Sequence, residues 1–189
     1  MSVNVAALFS PPKKWEPAAW TEPDDGTSTG LTFDRNEPPV RQAASWTCSC
    51  ASMAWVMNAL GVESPTGGKW DEWDAVNELR RLCGYDAVSP DYGLAYASGV
   101  DLETVYVNYG FVCARQVVSW AELAYFCELG VGQLGGARWY HWTGVRGYDG
   151  GQFSLANPAY SWKAVGDDLD PNEWNAWGQW NAVMIVGKQ

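Results

Sequence analysis

Residues 41–61, RQAASWTCSCASMAWVMNALG, contain the pattern that decides the fold. From Cys48 onward, apolar residues recur three and four positions apart, which predicts an amphipathic helix with one buried face. These residues are Met53, Val56, Met57 and Leu60. Thr47 is a suitable N-cap for this helix, and Gly61 is the expected stop just past its end.

The cysteine at the start of the predicted helix, Cys48, is a candidate nucleophile. The first turn of a helix has N–H groups without helical partners, and together with the helix dipole they favour a thiolate. Gln42, earlier on the segment that enters the helix, offers an amide donor for an oxyanion. The alternative is that Cys48 only fills the core, because free cysteines are among the most buried residues. Cys50 is the competing thiol.

The partners of a cysteine nucleophile occur late in the chain. His141 is the only histidine, and it opens an apolar run that turns at residues 149–151 (DGG) into a second short strand. This pattern predicts a β-hairpin that brings His141 close to Asn157. Asn157 can accept or donate one hydrogen bond to the imidazole, which would fix its tautomer. The alternatives are a structural histidine and a simple Asn-Pro turn.

Gln, Cys, His and Asn in this order and spacing resemble the catalytic set of the papain-like cysteine peptidases. The sequence is most similar to their compact bacterial branch, which includes the peptidases that remove double-glycine bacteriocin leaders. It also resembles papain-fold effector proteases. The resemblance covers residues 40–187 and implies Cys48 as nucleophile and His141 as general base and acid. It further implies Asn157 as the residue that orients the histidine and Gln42 as an oxyanion donor, without a metal or a cofactor.

Three departures from that family pattern lie beside the predicted site. Ser49 follows the nucleophile where glycine is usual, Tyr140 precedes the histidine where a small residue is common, and Cys50 is a second thiol close by. The first two are expected to narrow the cleft or to weaken activity. The chain also has thirteen tryptophans, which either fill the core or form aromatic platforms for sugars or peptidoglycan. Four residues are candidates to line the substrate groove: Trp46, Ser49, Trp139 and Trp142.

Composition excludes several other classes of protein. The chain has 189 residues and a net charge of −10, which argues against nucleic-acid binding. No apolar run approaches the length of a membrane span, and the N-terminus lacks a signal peptide. We therefore expect synthesis in the cytoplasm, with any export through a signal-independent system. The five cysteines predict reduced thiols and no structural zinc site.

The order of the predicted elements indicates the α+β class. Residues 1–40 are rich in proline and form an N-terminal arm, and residues 41–189 form one papain-like domain. Helices are predicted at 48–61, 70–82, 102–108 and 119–129, and strands at 111–118, 130–136 and 181–187, in addition to the hairpin. Gly84 is the expected stop of the second helix, and Asp101 is the expected cap of the third. Ser119 and Glu122 form the expected capping box of the fourth. Trp174, Trp177 and Trp180 are expected on one side of a further helix. The resemblance then places the Cys helix against an antiparallel sheet that carries His and Asn.

The most specific functional hypothesis is hydrolysis of a peptide bond in a peptide or protein substrate. The same four groups would also serve deamidation, transglutamination or cleavage of peptidoglycan amides. A catalytically inactive papain-fold binding domain and a tryptophan-rich carbohydrate-binding domain are the alternatives from other classes. The family resemblance adds the hypothesis of a bacterial effector or toxin, with an inhibitor or immunity protein as its partner.

Overall fold

A computed structural model describes residues 30–44, 46–84, 97–136, 141–159 and 167–189. Within these ranges the chain forms five helices and six strands. The helices are α1 (Cys48–Ala59), α2 (Glu72–Cys83), α3 (Gly99–Asn108), α4 (Trp120–Leu129) and α5 (Pro171–Trp177). The strands are β1 (Phe111–Val117), β2 (Val131–Gly136), β3 (His141–Asp149), β4 (Gln152–Ala156), β5 (Asp168–Leu169) and β6 (Trp180–Lys188). No described helix has the length and hydrophobicity to cross a membrane.

The six strands form one antiparallel sheet in the order β1-β6-β2-β3-β4-β5. The long strand β6 pairs with both β1 and β2, and β3 joins this half of the sheet to the short strands β4 and β5. Helices packed on an antiparallel sheet confirm the predicted α+β class.

Side chains of the sheet alternate between two hydrophobic cores, as the period of a β-strand requires. On β6, Val183 and Ile185 point into the core that contains α1, α2 and α3. Their neighbours Ala182 and Met184 point into a second core that contains α4 and Trp174 of α5. The sheet therefore lies between two helical layers, and the helix that carries Cys48 belongs to the first of them.

Helix α1 is buried on all sides, so the predicted single buried face was wrong. Of its residues only Asn58 is partly exposed. The apolar periodicity was real, but the positions between the apolar residues are also inaccessible because the helix lies beneath α2 and the sheet. The Thr47 side chain makes no capping bond to the helix, which is a second correction. Gly61 does follow the end of the helix, with a φ of 66°, as predicted.

The ends of the other helices follow their capping residues closely. Ser119 and Glu122 form the predicted capping box at α4, and Gly84 ends α2 in the left-handed conformation. The prediction for α3 was wrong, because Ser98 is the N-cap and Asp101 is the third helical residue of its capping box. The chain simply begins this helix one turn earlier than its apolar pattern suggests.

The three late tryptophans do not share a helix. α5 ends at Trp177, Gly178 follows with a φ of 79°, and Trp180 begins strand β6. Trp174 and Trp180 nevertheless stack at 5.2 Å between ring centroids, so two of the three do pack together in the second core. The expectation of core packing is confirmed for this pair. The two residues meet across the turn between α5 and β6, and not along one helix.

The described end of the N-terminal arm packs against the domain. Arg35 donates hydrogen bonds to the carbonyl oxygens of Arg146 and Cys127, at 2.8 and 2.6 Å. The indole N–H of Trp55 on α1 donates to the carbonyl of Glu37 at 2.9 Å. Residues 30–40 are thus attached to the sheet and to the Cys48 helix. Residues 1–29 lie outside the described part of the chain.

Replacing Gly144 with alanine is expected to destabilise the contact between the sheet and α1. A Cβ atom at Gly144 would lie 2.2 Å from the ring of Trp55, which is fully buried and has no space to move. Overpacking of this kind costs about 3 kcal/mol of unfolding free energy, measurable as a lower denaturant midpoint. Gly187→Ala is the matched control, since a Cβ there meets nothing closer than 3.6 Å. Equal midpoints for the two variants would contradict the prediction.

Candidate active site

Cys48 is the first residue of α1 and lies against the beginning of β3. Its Sγ atom is 3.5 Å from the main-chain N–H of Trp142, the residue that follows His141. The structure therefore brings the predicted nucleophile to the strand end that carries the predicted base, although the two are far apart in sequence.

His141 and Asn157 meet across the β3–β4 hairpin, as predicted from the sequence. The pairing of Gly144 with Ala156 sets the register, and His141 Nε2 lies 3.0 Å from Asn157 Oδ1. The same Oδ1 accepts a hydrogen bond from the N–H of Ala159 at 3.0 Å, which identifies it as the amide oxygen. Nε2 of the neutral imidazole therefore carries the proton, and Nδ1 is the basic nitrogen.

Gln42 is attached to the segment that follows Asn157. Its main-chain N–H donates to the carbonyl of Pro158 at 3.0 Å, and Arg41 Nη1 donates to the carbonyl of Ala159 at 2.9 Å. The side-chain Nε2 of Gln42 donates to the carbonyl of Ala44 at 2.8 Å. One amide proton is therefore committed within the loop, and the second remains for another acceptor. The four predicted catalytic residues thus come from three segments that the fold brings together.

Sequence reasoning missed two residues that hold these segments in place. Ser52 Oγ lies 2.7 Å from the carbonyl of Cys48 and 3.1 Å from that of Trp142, so it links α1 to β3 beside the nucleophile. Glu72, at the beginning of α2, bonds to the loop between Gln42 and Cys48. A polar residue inside the apolar α1 sequence was a signal for Ser52. For Glu72 the sequence contains no such signal, because acidic residues in the first turn of a helix are common.

The predicted catalytic residues are nearly closed to solvent. Their exposed fractions are 3% for Cys48, 2% for His141, 2% for Asn157 and 1% for Gln42. Burial raises the pKa of the Cys48 thiol above its ordinary value, against a smaller opposite effect of the N–H groups of Trp142, Ser49 and Cys48. Burial likewise lowers the pKa of His141, against the smaller opposite effect of the hydrogen bond that its Nε2 donates to Asn157. The N–H groups around Cys48 thus favour the thiolate, as predicted for a helix start, but desolvation has the larger effect on the pKa of this thiol.

The rate of Cys48 alkylation should rise with pH and still be rising above the ordinary thiol pKa of 9.0. Alkylation needs the thiolate, and a raised pKa moves the formation of the thiolate to higher pH. The measurement is iodoacetamide labelling of the native protein from about pH 6 to about pH 10, mapped by mass spectrometry. A rate that reaches its plateau near neutral pH would instead show a thiolate–imidazolium pair at rest.

The predicted groove residues lie in different environments. Trp46 is half-buried and makes an edge contact with Trp73, which is 44% exposed, at 6.3 Å between ring centroids. Ser49 is fully buried and Trp142 is 8% exposed within the first core. Ser49 and Trp142 thus lie in the interior, Trp46 lies nearer the surface, and their contact with substrate stays a prediction. Trp139, like Tyr140, lies outside the described residues.

Other reactive groups in the described part of the chain do not compete with this arrangement. All five cysteines are free thiols, and burial raises the pKa of Cys50 to about 12. Among the described residues no group of histidine, cysteine and acidic side chains is arranged to hold a metal ion.

A surface cavity of about 560 Å³ lies between Arg35, Asp149 and Asp168. None of the four predicted catalytic residues lines it, so it is separate from the site.

Two comparisons with known proteins found no match, neither to a sequence family nor to a curated protein. Solved structures do match. The peptidase domain of Streptococcus ComA, a bifunctional ABC transporter of a quorum-sensing pathway, has a TM-score of 0.53 at 16% identity. That match covers 81% of this chain and 100% of the other.

A second similar structure is a double-glycine-motif protease from an AMS/PCAT transporter, solved in complex with the leader peptide. Its TM-score is 0.52 at 17% identity, over 78% of this chain and 91% of that one. These similarities confirm the fold expected from the sequence resemblance. The chain has the papain-like fold of the double-glycine peptidase domains.

Proposed function

We propose that this chain is a cysteine peptidase that hydrolyses a peptide bond in a peptide or protein substrate. The observation that carries the proposal is the 3.0 Å contact between His141 Nε2 and Asn157 Oδ1 at the strand end where Cys48 Sγ lies. This contact leaves the second imidazole nitrogen as the base for the thiol. The fold shared with two peptidase domains, one of them bound to a leader peptide, supports a peptide as the substrate class.

In the first half of the reaction His141 Nδ1 takes the proton of the Cys48 thiol as sulfur attacks the carbonyl carbon. The carbonyl oxygen becomes an oxyanion, which accepts hydrogen bonds from the Cys48 main-chain N–H and the second amide proton of Gln42. Each such donor typically contributes about 3 kcal/mol to the transition state. When the tetrahedral intermediate collapses, the C–N bond breaks and the imidazolium of His141 protonates the departing amine.

In the second half water hydrolyses the thioester that remains on Cys48. His141, again neutral, takes a proton from the water while the water oxygen attacks the carbonyl carbon of the thioester. The C–S bond then breaks, the carboxylic acid product leaves, and the proton returns to the sulfur. Asn157 keeps the same hydrogen bond to Nε2 throughout, so the ring presents Nδ1 in both halves. Because the site is nearly closed at rest, the chain around it has to move for a substrate to enter.

We further propose, from the family resemblance, a role as a bacterial effector or toxin with an inhibitor or immunity protein as partner, and export through a signal-independent system. The chemistry of the site does not depend on these proposals.

The test is incubation of the protein with a mixed peptide library and with leader-type peptides that contain a double glycine, followed by mass spectrometry. A peptidase is expected to yield two fragments whose masses sum to the substrate plus one water. A deamidase would leave the chain length intact and exchange one amide for an acid, and a transglutaminase would join two peptides with loss of ammonia. Unchanged peptides under all conditions would instead favour an inactive binding domain.

A further inference from the structure

The buried carboxylate of Glu72 holds the turn that connects Gln42 to Cys48. Its Oε2 atom accepts a hydrogen bond from the N–H of Ala43 at 2.7 Å and lies 3.0 Å from the hydroxyl oxygen of Thr47. Glu72 is only 4% exposed, and it comes from a different element, the beginning of α2. Its two contacts lie on either side of Ala44.

The turn that Glu72 holds also orients the amide of Gln42. The carbonyl of Ala44 accepts hydrogen bonds from Gln42 Nε2 at 2.8 Å and from the Thr47 N–H at 3.3 Å. The Thr47 hydroxyl lies 2.9 Å from the same carbonyl, but it has a single proton. A carboxylate is the stronger acceptor for that proton. Glu72 therefore draws the hydroxyl proton to itself and leaves the Ala44 carbonyl to the Gln42 amide.

We propose that Glu72 is a positioning residue for the oxyanion site, acting on Gln42 through its contacts with Ala43 and Thr47. This inference rests on the proposed function, because it deepens the role of Gln42 as oxyanion donor. Glu72 fixes the turn at both Ala43 and Thr47. The second N–H of Gln42 Nε2 therefore points in one fixed direction. Displacement of a catalytic group by about 1 Å lowers rates by about 10²-fold, so loss of this carboxylate affects turnover without removing any group that touches the substrate.

The first comparison uses Glu72→Ala, Glu72→Gln and a matched control. Glu78 lies on the same helix and is also 4% exposed, but it bonds to Arg81 and to Tyr109. We expect Glu72→Ala to lower kcat by about 10- to 100-fold with little change in KM. Glu72→Gln should recover most of the rate because its amide oxygen still accepts both hydrogen bonds. Glu78→Ala should leave kcat nearly unchanged, and an equal loss there would assign the effect to general destabilisation.

The second comparison asks whether Glu72 acts through Gln42. In a Gln42→Ala background the donor is already absent, so adding Glu72→Ala should lower kcat by less than about 2-fold. Alkylation of Cys48 by iodoacetamide forms no oxyanion, so its rate should not change in Glu72→Ala. An equal loss of kcat from Glu72→Ala with and without Gln42 would overturn the proposal. Slower alkylation of Cys48 in Glu72→Ala would overturn it as well. If Glu72→Ala does not fold, Thr47→Val replaces it, since it removes the hydroxyl and retains the shape.

A third measurement does not need turnover. The side-chain amide signals of Gln42 in a 15N NMR spectrum are identified by their loss in Gln42→Ala. They should shift in Glu72→Ala and stay in place in Glu78→Ala. If the wild type cleaves no peptide and these signals still shift, the proposed function fails, whereas the effect of Glu72 on the orientation of the Gln42 amide is retained. If they do not shift, the positioning role is overturned whether or not the protein cleaves peptides.

Discussion

Cys48→Ala is expected to abolish peptide turnover, with a loss of about 10⁶-fold, the scale seen when the nucleophile of a catalytic triad is removed. The variant removes one sulfur atom from a buried helix start, so the fold should persist. Its sulfur lies against the N–H of Trp142, beside the strand end that carries His141. The measurement is the initial rate of cleavage of the best peptide from the library, with circular dichroism as the test of folding.

Cys50→Ala is the matched control for this variant. Cys50 lies on the same helix and is fully buried, and burial raises the pKa of its thiol to about 12. We expect turnover within about 3-fold of the wild type and a loss of stability of about 1 kcal/mol for the removed sulfur. Turnover that survives Cys48→Ala but not Cys50→Ala would show that Cys50, and not Cys48, is the nucleophile. Turnover that survives both would exclude thiol catalysis at this helix.

His141→Ala is expected to lower turnover by about 10²- to 10⁴-fold, the usual contribution of a general acid–base group. The residual rate should be larger than in Cys48→Ala, because hydroxide can still remove the thiol proton as the pH rises. The rate of Cys48 alkylation at neutral pH should fall as well, since burial keeps the pKa of this thiol raised and the base that removes its proton is gone. Turnover and alkylation measured together distinguish a His141 that acts as a base from a His141 that only stabilises the fold.

Asn157→Asp serves as the conservative comparison for the histidine variant. It retains an oxygen acceptor for His141 Nε2 and for the N–H of Ala159, so turnover should stay within about 10-fold. Asn157→Leu, which fills the same space without an acceptor, should lower turnover clearly more. If the two Asn157 variants behaved alike, the hydrogen bond to His141 would have no part in the reaction.

The helix and hairpin signals in the sequence were sufficient to predict the elements that carry the site. The periodicity after Cys48 predicted α1, and the DGG turn between two apolar runs predicted the hairpin that joins His141 to Asn157. Both signals are local, because a helix start and a tight turn depend on residues a few positions apart. For the same reason Gly84 correctly predicted the C-terminal end of α2, and Ser119 with Glu122 correctly predicted the start of α4. The error at Asp101 arose because the apolar pattern of α3 begins after the helix does.

The sequence by itself determined the α+β class, the four candidate catalytic residues and the contact across the hairpin, since each follows from local spacing and chain order. Only the tertiary structure decided the burial of the site, which raises the pKa of Cys48 and lowers the pKa of His141 through desolvation. It also decided the contact of Cys48 with β3 and the bonds from Glu72 to the Gln42 turn. These properties depend on segments far apart in sequence, and the free energy that brings such segments together comes from the packing of the whole core. The local spacing of residues does not predict which distant side chain packs against a given residue.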